Sequence, residues 1–318
     1  MKSNSSKAII AAFLANLGIA VAKLVGFIFT GAASMLAEMI HSLADSSNQG
    51  LLILGGKLAR RTATLDHPFG YGRERYFWSF VVALVIFALG SAFAIYEGIE
   101  KLFHPHELES PLWAVGILVV AVVLESFSMW TAVREANHER GEQSWWAFIR
   151  HAKVPELPVV LLEDLGALLG LVLALVGVGL AMLTGKARFD ALGSLAIGLL
   201  LGVIAVVLAI EMRSLLLGEA ASLKVLDTLH EVIQAHPSVR RLIHMRTQHI
   251  GPEELLVAAK VEFERELTLE GVAAAIDALE DRLRQRVPIA RMIYLEPDIY
   301  HPGRVTQPVG DLGSSGHR

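Results

Sequence analysis

The chain has 318 residues, no cysteine, a formal net charge of −4 and 53% hydrophobic residues, with a mean hydropathy of +0.50. Only 19% of its residues are charged, against about 25% in soluble domains, which argues against a soluble enzyme of one or two domains. The near-neutral balance gives no support to nucleic-acid binding, and the lack of cysteine excludes disulfides and thiolate metal sites, leaving His, Asp, Glu and water as ligands.

The charge is unevenly spread: 34 charged residues in positions 1–221 and 26 in positions 222–318. After the polar lead Met1–Lys7, an apolar run follows with no small-residue cleavage site, which reads as a retained membrane helix. A bilayer span needs about 20 mostly apolar residues. Six stretches meet that requirement: 8–30, 34–56, 76–98, 112–133, 157–182 and 191–215. The N-terminus and the loops 57–75 and 134–156 hold 11 basic residues, and the opposite loops hold only Lys101, Lys186 and Arg188. The positive-inside rule then predicts both termini in the cytoplasm. Beyond Glu219 the pattern changes. Helical spacing over 222–236 and 268–286 and strand-like runs at 240–248, 254–263 and 291–296 predict an αββαβ, ferredoxin-like α+β domain. The expected organisation is a six-helix transmembrane domain over 1–217, a cytoplasmic domain over 218–300 and a disordered tail over 301–318.

Ionisable residues inside spans are costly and mark function. Span two carries Glu38, His41 and Asp45 in AEMIHSLADSSNQ. His41 and Asp45 are one helical turn apart on one face, and Asn48 continues that face. Span five carries Glu163 and Asp164 in LLEDLGALLG, about 100° apart around the helix, so at most one aims squarely at a given partner. Imidazole and carboxylates without thiols suit a divalent transition metal such as zinc. By pattern alone, a proton channel or a membrane metalloenzyme fits as well. No HExxH, GxSxG or His box accompanies the pattern.

The runs AEMIHSLADSSNQ and DHPFGYGRERYFWS, with six spans and a small terminal domain, resemble the cation diffusion facilitator family. LLEDLGALLGL and DALGSLAIGLLLG are similar to the subgroup that includes the animal mitochondrial zinc transporter. The resemblance spans about 8–298 and implies a homodimeric metal-ion/proton antiporter with no prosthetic group. Its cargo would be Zn2+ foremost, with Mn2+, Co2+, Fe2+ or Cd2+ as alternatives, moved through a bacterial inner membrane. A non-transporting dimeric sensor or scaffold is a further alternative.

The resemblance implies a transport site in which His41 and Asp45 match the span-two pair and Asp164 the second span-five position. The remaining position falls on Val160, which has no donor atom; Glu163 or water would fill it, with Glu38 a lesser substitute. Of the family's accessory sites, the loop site would retain Asp66 and His67 but has Tyr71 for its second histidine. The terminal-domain site would retain His244, with Lys260 and Tyr294 in place of histidines and Glu296 in place of an aspartate. That domain is expected to dimerise without a metal cluster. Arg73 would pair with Glu219, Trp145 and Trp146 would anchor at the interface, and His104, His106 and Glu109 read as a solvated loop.

Overall fold

The computed structural model describes residues 33–104 and 111–302, with scattered positions between 13 and 28. The expected first span, Lys23, the loop residues His106 and Glu109, and the tail beyond 302 lie outside the described residues. The chain divides into two compact units. One takes the chain up to Asp66 and Glu74–Ser214; the other takes His67–Arg73 and the chain from Leu215.

The first unit is helical. Its described helices are α1 (Ala33–Leu58), α2 (Glu74–Phe103), α3 (Pro111–Arg140), α4 (Trp145–His151), α5 (Glu156–Thr184) and α6 (Arg188–Leu217). Among the described residues, α2, α5 and α6 are long and apolar enough to cross a membrane. In α1 the residues Glu38, His41, Asp45, Asn48 and Gln49 dilute the apolar run. α2 relaxes to one π-helical stretch at Val82–Phe87. The region expected as a loop over 134–156 is partly helical. α3 runs on to Arg140, and α4 starts where the Ser144 hydroxyl accepts from the Ala147 N–H at 3.1 Å, an N-cap that satisfies an orphan donor.

Small residues let the long helices approach closely. A Cβ on Gly198 of α6 would lie 2.6 Å from Ile95 Cγ1 and 2.8 Å from its backbone nitrogen on α2. Beside it, Ser91 Oγ donates to the Gly198 carbonyl at 2.6 Å. Any side chain at position 198 would separate these helices and break that bond.

The second unit contains α7 (Leu223–Gln234), β1 (Val239–Gly251), β2 (Glu254–Phe263), α8 (Leu269–Arg286) and β3 (Ala290–Pro297). The element order is the αββαβ expected from the sequence. β1 pairs antiparallel with β2, and β2 pairs parallel with β3, giving a mixed sheet in the order β1-β2-β3. Along β2 the residues Leu255, Val257, Ala259 and Val261 alternate into the core, as the two-residue strand period requires. They pack with Leu229 and Ile233 of α7 and Leu279 and Leu283 of α8. The loop His67–Arg73 belongs to this unit. A Cβ on Gly72 would lie 2.6 Å from Glu254 Oε2 and 2.8 Å from the Ile250 carbonyl. Gly218, between α6 and α7, has φ of +99°, a left-handed backbone, and any Cβ there would meet the Gln248 side chain.

Candidate metal transport site

The exposure along α1 defines its inward face. Asn48 is 0% exposed, Gln49 2% and Leu52 3%, whereas Leu43 and Leu54 point outward. Steps of about 100° per residue put positions 41 and 45 inside the arc bounded by 48 and 49. Positions 41 and 45 thus share the backbone register of Asn48 and Gln49; the side chains of His41 and Asp45 lie outside the described residues.

On α5, Glu163 and Asp164 are both 7% exposed. Their directions differ by about 100°, yet both are buried because most of the first turns of α5, including Glu156, Val159, Leu161 and Leu162, are enclosed. Asp164 Oδ2 accepts a hydrogen bond from Ser128 Oγ of α3 at 2.9 Å. This bond ties the carboxylate to α3. Ser128 was not singled out by the sequence; a lone serine in an apolar run carries no spacing signal. Val160, one turn before Asp164, contributes only a half-buried apolar side chain. Two adjacent carboxylates in a low-dielectric setting call for protons or a cation. Among the described residues no three His, Asp or Glu side chains gather around one point.

Ion pairs tie the helices of this unit together. The Arg75 guanidinium on α2 bridges Glu156 at the start of α5, with Nε to Oε1 at 2.5 Å and Nη2 to Oε2 at 2.9 Å. Arg150 on α4 bonds Glu211 of α6 at 2.8 Å, and Lys101 on α2 bonds Asp190 of α6 at 3.1 Å. Arg73, which the resemblance would pair with Glu219, is exposed; Arg75, two residues on, makes the partly buried pair with Glu156. The guanidinium of Arg140 lies 4.5 Å from the Trp145 ring centroid and that of Arg150 5.8 Å from that of Trp146. Both rings are exposed beside cations, an arrangement suited to a membrane–water interface.

The candidate accessory positions are built differently. His67 stacks on Tyr71, with ring centroids 4.6 Å apart. His244 stands opposite Lys260 in the β1–β2 register. The Lys260 ammonium bonds Glu296 Oε1 at 2.8 Å and Asp298 Oδ2 at 2.9 Å. These hydrogen bonds, Asp298 foremost, raise the Lys260 pKa and keep it charged. An ammonium thus sits between the carboxylates where a metal ion would have to bind. Tyr294 is exposed. His249 is buried in the second unit, its backbone N–H bonded to the Glu219 carbonyl at 2.8 Å.

The cation efflux transmembrane domain family matches residues 9–217. The mitochondrial proton-coupled zinc antiporter SLC30A9 of Homo sapiens is 35% identical over 244 residues, covering 76% of this chain and 43% of that protein. Metal tolerance protein C4 of Arabidopsis thaliana is 27% identical, covering 74% of this chain and 52% of its own. Zinc transporter ZitB of Pectobacterium atrosepticum is 25% identical, covering 80% and 75%. The chain thus spans under half the length of the human relative it matches. With the family domain covering most of the helical unit, the chain belongs to the cation efflux family, the cation diffusion facilitators, close to the subgroup of the mitochondrial zinc antiporters.

Proposed function

We propose that this protein exports a divalent metal cation, Zn2+ foremost, across a membrane in exchange for protons. The observation that carries the reading is a pair of carboxylates, Glu163 and Asp164, buried to 7% exposure in a helix of spanning length. Such a pair is retained against its desolvation cost only for a cation or a proton. The proposed ion-holding residues are His41, Asp45, Asp164 and Glu163, all nitrogen or oxygen donors on α1 and α5. The names of the relatives, a zinc antiporter and a zinc transporter, favour Zn2+; Mn2+, Co2+, Fe2+ and Cd2+ are the alternative cargoes.

In this reading the metal enters from the cytoplasm and displaces protons from His41 and a carboxylate. The helices rock, the site opens to the other side, and protons displace the metal. An imidazole with a pKa near 6.5 lets proton and metal compete close to neutral pH. The proposal includes six spans over 1–217, both termini in the cytoplasm and a homodimer assembled through a ferredoxin-like domain over 218–300. The 11-to-3 bias of basic residues supports the orientation. We place it in a bacterial inner membrane.

The test is zinc flux in proteoliposomes with and without a pH gradient. Proton-driven flux in the wild type, and none in His41→Ala or Asp45→Ala with folding retained, is the expected result. Wild-type flux in either variant contradicts the site. Gradient-independent chemistry on a substrate would return the protein to the enzyme reading, and absence of flux with tight metal binding to the sensor reading.

A further inference from the structure

We propose that Asn48 is a direct ligand of the transported cation, through its side-chain oxygen. This rests on the transport site above and deepens it. Asn48 is fully buried, and among the described residues neither its Oδ1 nor its Nδ2 has a hydrogen-bond partner. A buried unpaired amide gives up its hydration with no hydrogen bond in return, most of all where no water reaches it. A membrane helix gains nothing from such a residue unless something else occupies it. A divalent cation is such an occupant, since an amide oxygen is a neutral donor of the kind that divalent ions accept.

The register supports this. Positions 41, 45 and 48 fall on one stripe of α1, with 45 one turn from each of the others. Helical side chains lean toward the N-terminus, so Asn48 reaches back toward the level of Asp45. Tetrahedral zinc takes four ligands. His41, Asp45 and Asp164 supply three, and the turn before Asp164 offers only Val160. Asn48 fills the fourth position from α1, taking the ligand place given to Glu163 above, and Glu163, on the neighbouring face of α5, then serves as a proton acceptor. An oxygen in place of a second nitrogen also makes the site harder, so that it admits Mn2+ beside Zn2+.

The test uses the full chain in lipid nanodiscs loaded with Co2+, whose visible bands report ligand number and type. Asn48→Leu is close in size and lacks a donor. The expected result is an altered Co2+ spectrum and Zn2+ affinity weakened by about tenfold or more, with a greater loss for Mn2+. Asn48→Asp keeps an oxygen in place and is expected to bind at least as tightly as the wild type. A folded Asn48→Leu with the wild-type spectrum overturns the proposal, whatever its affinity. If Asn48→Leu does not fold, Asn48→Ser, whose hydroxyl falls short of the ion, is read by the same spectral criterion. Asp164→Asn is measured alongside. If it too leaves the spectrum unchanged, the transport site itself fails; if only the Asn48 variants are silent, this inference fails alone.

Discussion

The helical unit and the terminal unit treat polar groups in opposite ways. In the first, Glu163 and Asp164 are enclosed side by side and Asn48 is buried with neither amide atom paired among the described residues. In the second, the Lys260 ammonium and the carboxylates of Glu296 and Asp298 neutralise one another near the surface, over an apolar core. In one unit the acids and the amide are enclosed within helices; in the other a cation and two acids meet near the surface. Deleting a polar group should therefore cost function in the first unit and little of anything in the second.

The largest effects are expected in the helical unit. Asp164→Asn keeps the Ser128 contact in shape but removes the charge, and zinc flux in proteoliposomes should fall by about a hundredfold or more while the protein stays folded. Next comes the Arg75–Glu156 pair. Glu156→Ala removes the carboxylate that bridges the partly buried guanidinium and should destabilise the chain by about 3 kcal/mol, read as a lower melting temperature in nanodiscs. Replacing both partners with apolar residues, Arg75→Met with Glu156→Leu, should restore most of that loss. Gly218→Ala forces a side chain into left-handed backbone against Gln248 and should cost about 1–3 kcal/mol without touching the ion site.

Smaller effects come from the polar groups of the second unit. Burial and the nearby Arg282 lower the His236 pKa below its ordinary 6.5. The Ser238 N–H also donates to its Nδ1 at 3.2 Å, which requires that nitrogen to be unprotonated. Between the lowered folded value and the unfolded 6.5 the unfolded chain binds more protons. His236 therefore contributes fully above about pH 6.5 and loses that contribution as pH falls through the folded value. Melting of the full chain at pH 5 and pH 7.5 should show a slightly shallower pH dependence in His236→Gln. Smallest of all, Lys260→Met should leave both the melting temperature and zinc flux nearly unchanged. A large loss of flux in that variant would erase the contrast between the units.

Much of this architecture is legible in the sequence because apolar length and period are strong signals. The stretches at 76–98, 157–182 and 191–215 lie within long helices, and Leu279 and Leu283 fall in the core as their spacing requires. The helix at Trp145–His151 was missed because its start depends on one cap, Ser144, within a short polar run. Burial of both Glu163 and Asp164 was not legible, because helical periodicity assumes one outward face and most of the first turns of α5 are enclosed. Ser128 and Arg75 escaped for the same reason: each acquires its meaning from a partner on another helix, at 2.9 Å from Asp164 and 2.5 Å from Glu156, which one helix's pattern does not encode.

The most direct measurement is zinc counterflow against protons in proteoliposomes holding the purified full chain, with internal zinc and internal pH followed together. The account predicts zinc movement driven by an imposed pH gradient, a matching proton movement in the opposite direction, and loss of both in His41→Ala and Asp164→Asn. Zinc flux that ignores the gradient, or that persists in those variants, would contradict it.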